Sequence, residues 1–170
     1  MISMGIDVLD LGLSTTPTVE MMVSMKSCDG GIVITASHNP VEWNALKLLN
    51  SKGEFLSASD GEKILAYSNS REFDFLDVHQ IGKIMPFDSG IEEHIDAILN
   101  LDDVDVEAIR NANFKVAVDA VNSTGGISVP VLLEALGVEN QELLYCEPNG
   151  KFPHNPEPLR KHLDLSLIHI

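Results

Sequence analysis

Short apolar runs that are typical of strands alternate with helical patterns along the 170 residues of this chain. Residues 31–35 and 114–119 are apolar runs bounded by polar turns, as expected for strands. Between them, residues 89–100 repeat isoleucine and leucine at helical spacing, with acidic side chains in the intervening positions. The alternation predicts an α/β fold, in which the end of one mixed-sheet domain is followed by the start of a similar second domain.

The remaining elements follow from start and stop signals at their ends. The sequence predicts strands at Ile6–Leu13, Leu46–Asn50 and Leu143–Cys146, and helices at Pro17–Met25 after a Thr16 cap, from a Ser59 or Asp60 cap to Tyr67, at Val104–Arg110, and at Val129–Leu136 before Gly137. Residues 68–88 lose clear periodicity and are rich in serine, asparagine, aspartate and lysine. We therefore predict a linker there, and two domains at residues 1–85 and 86–170.

Both ends of the chain carry the patterns of interrupted elements. The first strand pattern begins almost at the amino terminus, and residues 165–170 are mostly apolar where frayed polar residues are usual. We therefore expect a longer protein. The first domain would be represented by its carboxyl-terminal part and the second by its amino-terminal part.

The formal net charge of −15 restricts the partners of this chain. Nucleic acid and anionic membranes would be repelled, so neither is expected as a partner. No apolar run is long enough to cross a bilayer, and the amino-terminal residues lack the features of a signal peptide. Cys28 and Cys146 fit neither a disulfide framework nor a metal-binding spacing. We interpret both as small buried apolar residues and predict a cytoplasmic protein.

The polar segment Thr35–Pro40 directly follows an apolar run that indicates a buried strand, and it places Ser37 where open α/β sheets usually keep catalytic residues. A serine hydroxyl needs a base, a metal or a prior covalent charge to react at neutral pH, and Lys47 is a potential base close in sequence. His38 is adjacent, but neighbouring residues at a strand end tend to point in opposite directions. The Gly-x-Ser-x-Gly elbow of hydrolases is absent. A phosphoryl carrier therefore fits Ser37 better than an acyl-transfer triad.

The segments Thr35–Pro40 and Trp43–Lys47 together resemble the active-site serine segment of the α-D-phosphohexomutases. This family includes phosphoglucomutase, phosphomannomutase and phosphoglucosamine mutase. The resemblance extends over about residues 5–163, with the matching segments in the same order as in the family, and it includes the proline-rich loop Phe152–Pro158. It implies α/β domains of the phosphohexomutase type, a phosphosugar substrate and Mg²⁺ as cofactor.

The resemblance also implies a role for three residues of the serine segment. Ser37 would be the phosphoserine and, through a phosphate oxygen, a ligand of Mg²⁺. His38 would orient the substrate or the phosphate, and Lys47 would exchange a proton with the sugar hydroxyl. Leu46 and Leu48, which flank Lys47, favour a partly buried position for this base.

The implied reaction moves phosphate between the 1 and 6 positions of a hexose or hexosamine through a bisphosphorylated intermediate. Among family members, the resemblance favours a phosphoglucosamine mutase or a phosphoglucomutase/phosphomannomutase. The segment that selects the sugar in this family does not occur in the 170 residues, so the sequence leaves glucose, mannose and glucosamine phosphates open.

The Asp-x-Asp-x-Asp-Arg run of the family's Mg²⁺ loop is also absent from the sequence, and the acidic run Asp102–Asp105 lacks its arginine. A serine hydroxyl without this loop lacks charge stabilisation. We therefore expect the isolated chain to be inactive, and a non-catalytic sugar-phosphate binding fragment is the alternative. The other histidines have no ligand spacing and are predicted to be surface residues: His79, His94, His154, His162 and His169.

Overall fold

The computed structural model describes residues 1–40 and 42–164. The elements are a 3₁₀ helix Ile2–Met4, β1 (Val8–Asp10), α1 (Thr16–Met25), β2 (Gly31–Ile34), β3 (Leu46–Leu49), α2 (Ala58–Ser70), β4 (Ile84–Pro86), α3 (Gly90–Leu99), α4 (Val106–Asn111), β5 (Lys115–Asp119), α5 (Gly125–Ala135), β6 (Asn140–Leu144) and a 3₁₀ helix Arg160–His162. This order confirms the predicted α/β fold. Within the described residues, no helix is long and apolar enough to cross a membrane.

The strands pair in three two-stranded sheets across the described residues. β1 and β4 are parallel, with Val8 opposite Ile84. β2 and β3 form an antiparallel hairpin, and β5 and β6 are parallel and are joined by α5 in a βαβ unit. Parallel and antiparallel pairing therefore occur together, as expected for mixed α/β domains.

Helix α1 packs against the β2–β3 hairpin and forms the core beneath it. Val23 of α1 forms a hydrophobic cluster with Val33 and Leu49, and all three side chains are buried. Gly31 lies at the closest approach, because a Cβ atom there would overlap the Val23 side chain. Apolar burial between α1 and the hairpin is thus the main force that fixes the hairpin's position.

Several predicted boundaries of strands and helices are wrong, because a polar side chain at a neighbouring position ends the strand or caps the helix. The first strand ends at Asp10, whose carboxylate accepts a hydrogen bond from the Gly12 N–H, and Gly12 has a φ of +57°. Thr15 rather than Thr16 caps α1. Ser57 rather than Ser59 or Asp60 caps α2, which continues to Ser70.

Two further predictions change in the second half of the chain. Helix α5 begins at Gly125 instead of Val129, because residues 125 and 126 start the helix instead of separating it from the strand. A Cβ atom at Gly126 would overlap the backbone of Cys146, so this glycine allows the helix start to lie close to the end of β6. Cys28 and Cys146 were predicted to be buried but are only partly buried, and burial raises the pKa of the Cys146 thiol.

Helix α3 contacts both α1 and α5, and side-chain bonds attach it to α1. Thr18, which is 1% exposed, lies with its Oγ1 3.1 Å from His94 Nδ1. The Lys26 ammonium is 2.6 Å from the Glu93 carboxylate and 4.6 Å from the centroid of the Phe87 ring. His94 is therefore half-buried in a helix interface, and its predicted surface position is wrong.

Acidification is expected to weaken this interface, because burial lowers the pKa of His94 below its ordinary value of 6.5. As the pH falls below 6.5, the unfolded chain binds a proton at this position before the folded chain does. The free energy of unfolding therefore falls with pH through this range, until folded His94 is also protonated. Above this range His94 is neutral in both states and contributes no pH dependence.

The measurement is urea unfolding, followed by circular dichroism at about pH 7 and about pH 5, of the wild-type chain and of His94→Gln. Glutamine offers hydrogen-bonding atoms but does not titrate, so the variant should lose less stability on acidification. Equal losses in the two proteins would show that His94 is not a source of the acid sensitivity.

Candidate active site

The serine segment forms the loop at the open end of the β2–β3 hairpin. One hydrogen bond extends the ladder beyond the strands, from the Thr35 N–H to the Ala45 carbonyl oxygen at 3.0 Å. The strand before the loop is not buried as predicted, since only Val33 is buried and Ile34 is 71% exposed. A hairpin with one face on the core replaces the expected open-sheet edge, and the loop extends into solvent from it.

Ser37 adopts a backbone conformation that is uncommon for a residue with a side chain. Its φ is +56°, in the left-handed region, and its N–H donates a hydrogen bond to Thr35 Oγ1 at 3.0 Å. The next turn closes when the N–H and the Nδ2 of Asn39 both bond to the Ala36 carbonyl oxygen, at 3.0 and 2.8 Å. The loop around Ser37 is thus defined by its own hydrogen bonds.

Ser37 and His38 face each other, contrary to the prediction that adjacent side chains would diverge. Ser37 Oγ lies 3.3 Å from His38 Nδ1, and both residues are exposed. The left-handed conformation of Ser37 breaks the strand alternation that the prediction assumed. The hydroxyl that the sequence selected is therefore accessible from solvent and contacts a titratable group.

Lys47 lies on β3, directly opposite Val33 in the hairpin register. The residue is partly buried, and its Nζ is 5.7 Å from the centroid of the Phe55 ring. Among the described residues, no hydrogen bond joins Lys47 to Ser37 or His38. The structure thus brings Ser37 and His38 together and leaves Lys47 on the adjoining strand.

The described residues do not form a Mg²⁺ site on their own. Mg²⁺ prefers octahedral oxygen coordination that includes one or two carboxylates. No group of three or more metal-binding side chains occurs in residues 1–40 and 42–164, and at the loop the proposed ligand is the Ser37 oxygen alone.

Two features of the fold were not found by sequence reasoning. Thr35 and Asn39 organise the serine loop, and the signal was present, because threonine and asparagine commonly bond to backbone groups in turns. The other is a partly buried side-chain contact at the end of β5, where His154 Nε2 lies 2.9 Å from Asp119 Oδ2. The predicted surface position of His154 is therefore wrong, and nothing in the local sequence indicates a partner 35 residues away.

Family models match both halves of the chain. Residues 1–75 match the model described as "Phosphoglucomutase/phosphomannomutase, alpha/beta/alpha domain I". Residues 92–169 match the corresponding model of alpha/beta/alpha domain II.

Curated relatives carry related names. A "Phosphoglucomutase/phosphomannomutase" of Thermococcus kodakarensis is 37% identical over 164 residues, which are 96% of this chain and 35% of that protein. A "Phosphoglucosamine mutase" of Alkaliphilus oremlandii is 37% identical over 140 residues, 81% of this chain and 30% of that protein. The chain spans about a third of the length of the curated relatives that it matches.

Solved structures show the same fold. A putative phosphomannomutase from Thermus thermophilus superimposes with a TM-score of 0.79 at 24% identity, covering 98% of this chain and 37% of that one. A phosphoglucomutase/phosphomannomutase family protein from Burkholderia thailandensis gives 0.76 at 25% identity, covering 99% and 36%. Together with the two matched domain models, these similarities show that the chain belongs to the phosphoglucomutase/phosphomannomutase family of phosphohexomutases.

Proposed function

We propose that the protein carrying this chain is a phosphohexomutase that interconverts the 6-phosphate and 1-phosphate of a hexose or hexosamine. The observation that supports the proposal is the serine loop. It exposes the Ser37 hydroxyl, with His38 at 3.3 Å, in a chain that belongs to the family. The names of the relatives favour glucose, mannose or glucosamine phosphates as the substrate class.

In the proposed cycle, Ser37 carries a phosphoryl group. The bond between Ser37 Oγ and phosphorus breaks as a sugar hydroxyl oxygen forms a new bond to phosphorus, which gives a bisphosphorylated sugar. The hydroxyl proton passes to Lys47, and the departing Ser37 Oγ takes up a proton from solvent. Return of the other phosphoryl group to Ser37 releases that proton, restores the phosphoserine and frees the isomeric monophosphate, while Lys47 gives its proton to the oxygen that phosphorus leaves.

His38 is proposed to orient the phosphate or substrate beside Ser37. Its Nδ1 is already within reach of the serine oxygen, so a ring N–H can donate to a group bound there. The Ser37 phosphate is proposed as one Mg²⁺ ligand, with the others supplied from outside the described residues. When bound, such a cation neutralises phosphate charge.

The proposal is tested on the complete product of the gene that encodes this chain. The protein is incubated with Mg²⁺ and a hexose 1,6-bisphosphate, and peptides are examined by mass spectrometry. We expect one phosphate on Ser37 and conversion of hexose 1-phosphate to 6-phosphate. If Ser37 is never phosphorylated and no conversion occurs, the enzyme proposal fails, and saturable binding of the sugar phosphate would then identify the non-catalytic alternative.

The 170-residue chain alone is proposed to be inactive, because it spans about a third of its relatives' length. Assayed under the same conditions, it should show no isomerisation above the background of a protein-free control. Turnover by this chain would show that the remaining length is not required for the chemistry.

A further inference from the structure

We propose that Thr35 is a positioning residue, whose hydroxyl oxygen holds Ser37 in the conformation that presents its Oγ. The inference rests on the proposed function, because it assigns Thr35 a task in presenting the phosphoryl carrier. It is carried by one hydrogen bond, from the Ser37 N–H to Thr35 Oγ1 at 3.0 Å, together with the left-handed φ of +56° at Ser37.

The backbone of Ser37 is not its relaxed conformation. A left-handed φ is unfavourable for a residue with a Cβ atom, because the Cβ approaches the neighbouring backbone carbonyl oxygen. In the turn from Ala36 to Asn39, Ser37 stands at the second position, and His38, at the third, does not have a positive φ. A turn with a positive φ at its second position alone has the pattern in which glycine is usual. A serine in this place therefore needs an external constraint.

Thr35 can provide that constraint because its own position is fixed. Its N–H donates to the Ala45 carbonyl oxygen at 3.0 Å and so continues the β2–β3 ladder, and its side chain is half-buried. The Oγ1 that accepts from Ser37 is therefore attached to the hairpin and not to the solvent-exposed part of the loop. Two hydrogen bonds thus link the Ser37 amide, through Thr35, to Ala45, the residue that precedes β3.

The consequence concerns the Ser37 side chain. Its Oγ lies 3.3 Å from His38 Nδ1 while the backbone is left-handed. If the amide were released, Ser37 would relax toward an extended conformation, and the alternation of side chains along extended backbone would separate Oγ from His38. Thr35 therefore sets the direction from which Ser37 meets a phosphoryl donor or acceptor.

Two variants separate the hydroxyl from the shape of the side chain. Thr35→Val keeps the β-branch and removes the acceptor, whereas Thr35→Ser keeps the acceptor and removes the methyl group. In the ¹⁵N-labelled 170-residue chain, the Ser37 amide resonance and its coupling to Hα report the local φ. We expect both to change in Thr35→Val and to remain as in wild type in Thr35→Ser, while resonances of α5 and β6 stay unchanged in both. An unchanged Ser37 in Thr35→Val would overturn the proposal.

Kinetics of the complete gene product provide the second readout. Misplacement of a reacting group by about 1 Å can cost a factor of about 100, so Thr35→Val should lower kcat by roughly 10–100-fold with little change in KM. Thr35→Ser should keep kcat within about threefold of wild type.

A parallel Ser37→Ala variant distinguishes failure of the positioning role from failure of the proposed function. If Ser37→Ala is inactive and Thr35→Val has wild-type kcat, the positioning role is wrong and the proposed function stands. If Ser37→Ala keeps its activity, the proposed function itself fails.

Discussion

Replacement of Ser37 with alanine is expected to reduce the proposed mutase activity of the complete gene product at least about a thousandfold. The proposed reaction requires a covalent phosphoryl carrier, and alanine has no atom that can form the bond to phosphorus. The loss should appear in kcat, because the side chain is exposed at the loop tip and alanine removes only one oxygen from the binding surface. The assay follows conversion of hexose 1-phosphate to 6-phosphate in the presence of Mg²⁺ and a bisphosphate activator.

The matched control is Ser27→Ala. Ser27 is also an exposed serine with a left-handed backbone, at a φ of +52°, but it lies in the loop between α1 and β2. Both substitutions remove a hydroxyl from the same kind of backbone, so any effect of alanine in this conformation is common to them. We expect Ser27→Ala to keep activity within about twofold of wild type and a similar melting temperature. Similar activity losses in both variants would indicate a structural effect and would contradict the carrier role of Ser37.

The sequence proposes the residues of the candidate site, but it does not predict the geometry of those residues. Ser37, His38 and Lys47 were selected because they occur in a distinctive local pattern. The contact between Ser37 and His38 depends on a single left-handed residue, and rules for extended strands predict the opposite. The distance of Lys47 from Ser37 depends on the hairpin register, which is fixed by burial of Val33 against α1.

The difference between local sequence pattern and three-dimensional contact also separates the parts of the fold that were predicted correctly from those that were not. Helix α3 was predicted within one residue at each end, because its apolar repeat is long and its burial on α1 follows that repeat. Helix caps were misplaced where two or three hydroxyl or carboxyl residues compete, as at Thr15 and Thr16, since only the three-dimensional direction of the side chain selects one. The partners of His94 and His154 lie 76 and 35 residues away, so no local pattern could reveal them.

The largest loss of stability is expected for Gly53→Ala. Gly53 is buried in the turn after β3, with a φ of +79°, and a Cβ atom there would overlap the backbone carbonyl of Glu20 in α1. The turn cannot easily move away. Its Asn50 side chain accepts hydrogen bonds from the N–H groups of Lys52 and Glu54 at 2.9 and 3.1 Å. Relief of the overlap would have to separate α1 from the β2–β3 hairpin and so disturb the core around Val23.

Two costs add at this position. The left-handed conformation costs alanine about 1–2 kcal/mol, and the overlap with backbone adds about 1–3 kcal/mol or more. A total of about 3 kcal/mol or more is a large part of the stability of a small domain.

Gly150→Ala is the matched control, because Gly150 has a φ of +71° but no atom within 4 Å of the added Cβ position. It should show the conformational cost alone. Urea unfolding followed by circular dichroism measures both variants, and a Gly53→Ala loss no larger than that of Gly150→Ala would mean that α1 does not lie against this turn. The serine loop extends from the same hairpin. If Gly53→Ala is tolerated, the contact between this turn and α1 therefore does not fix the position of Ser37 relative to α1.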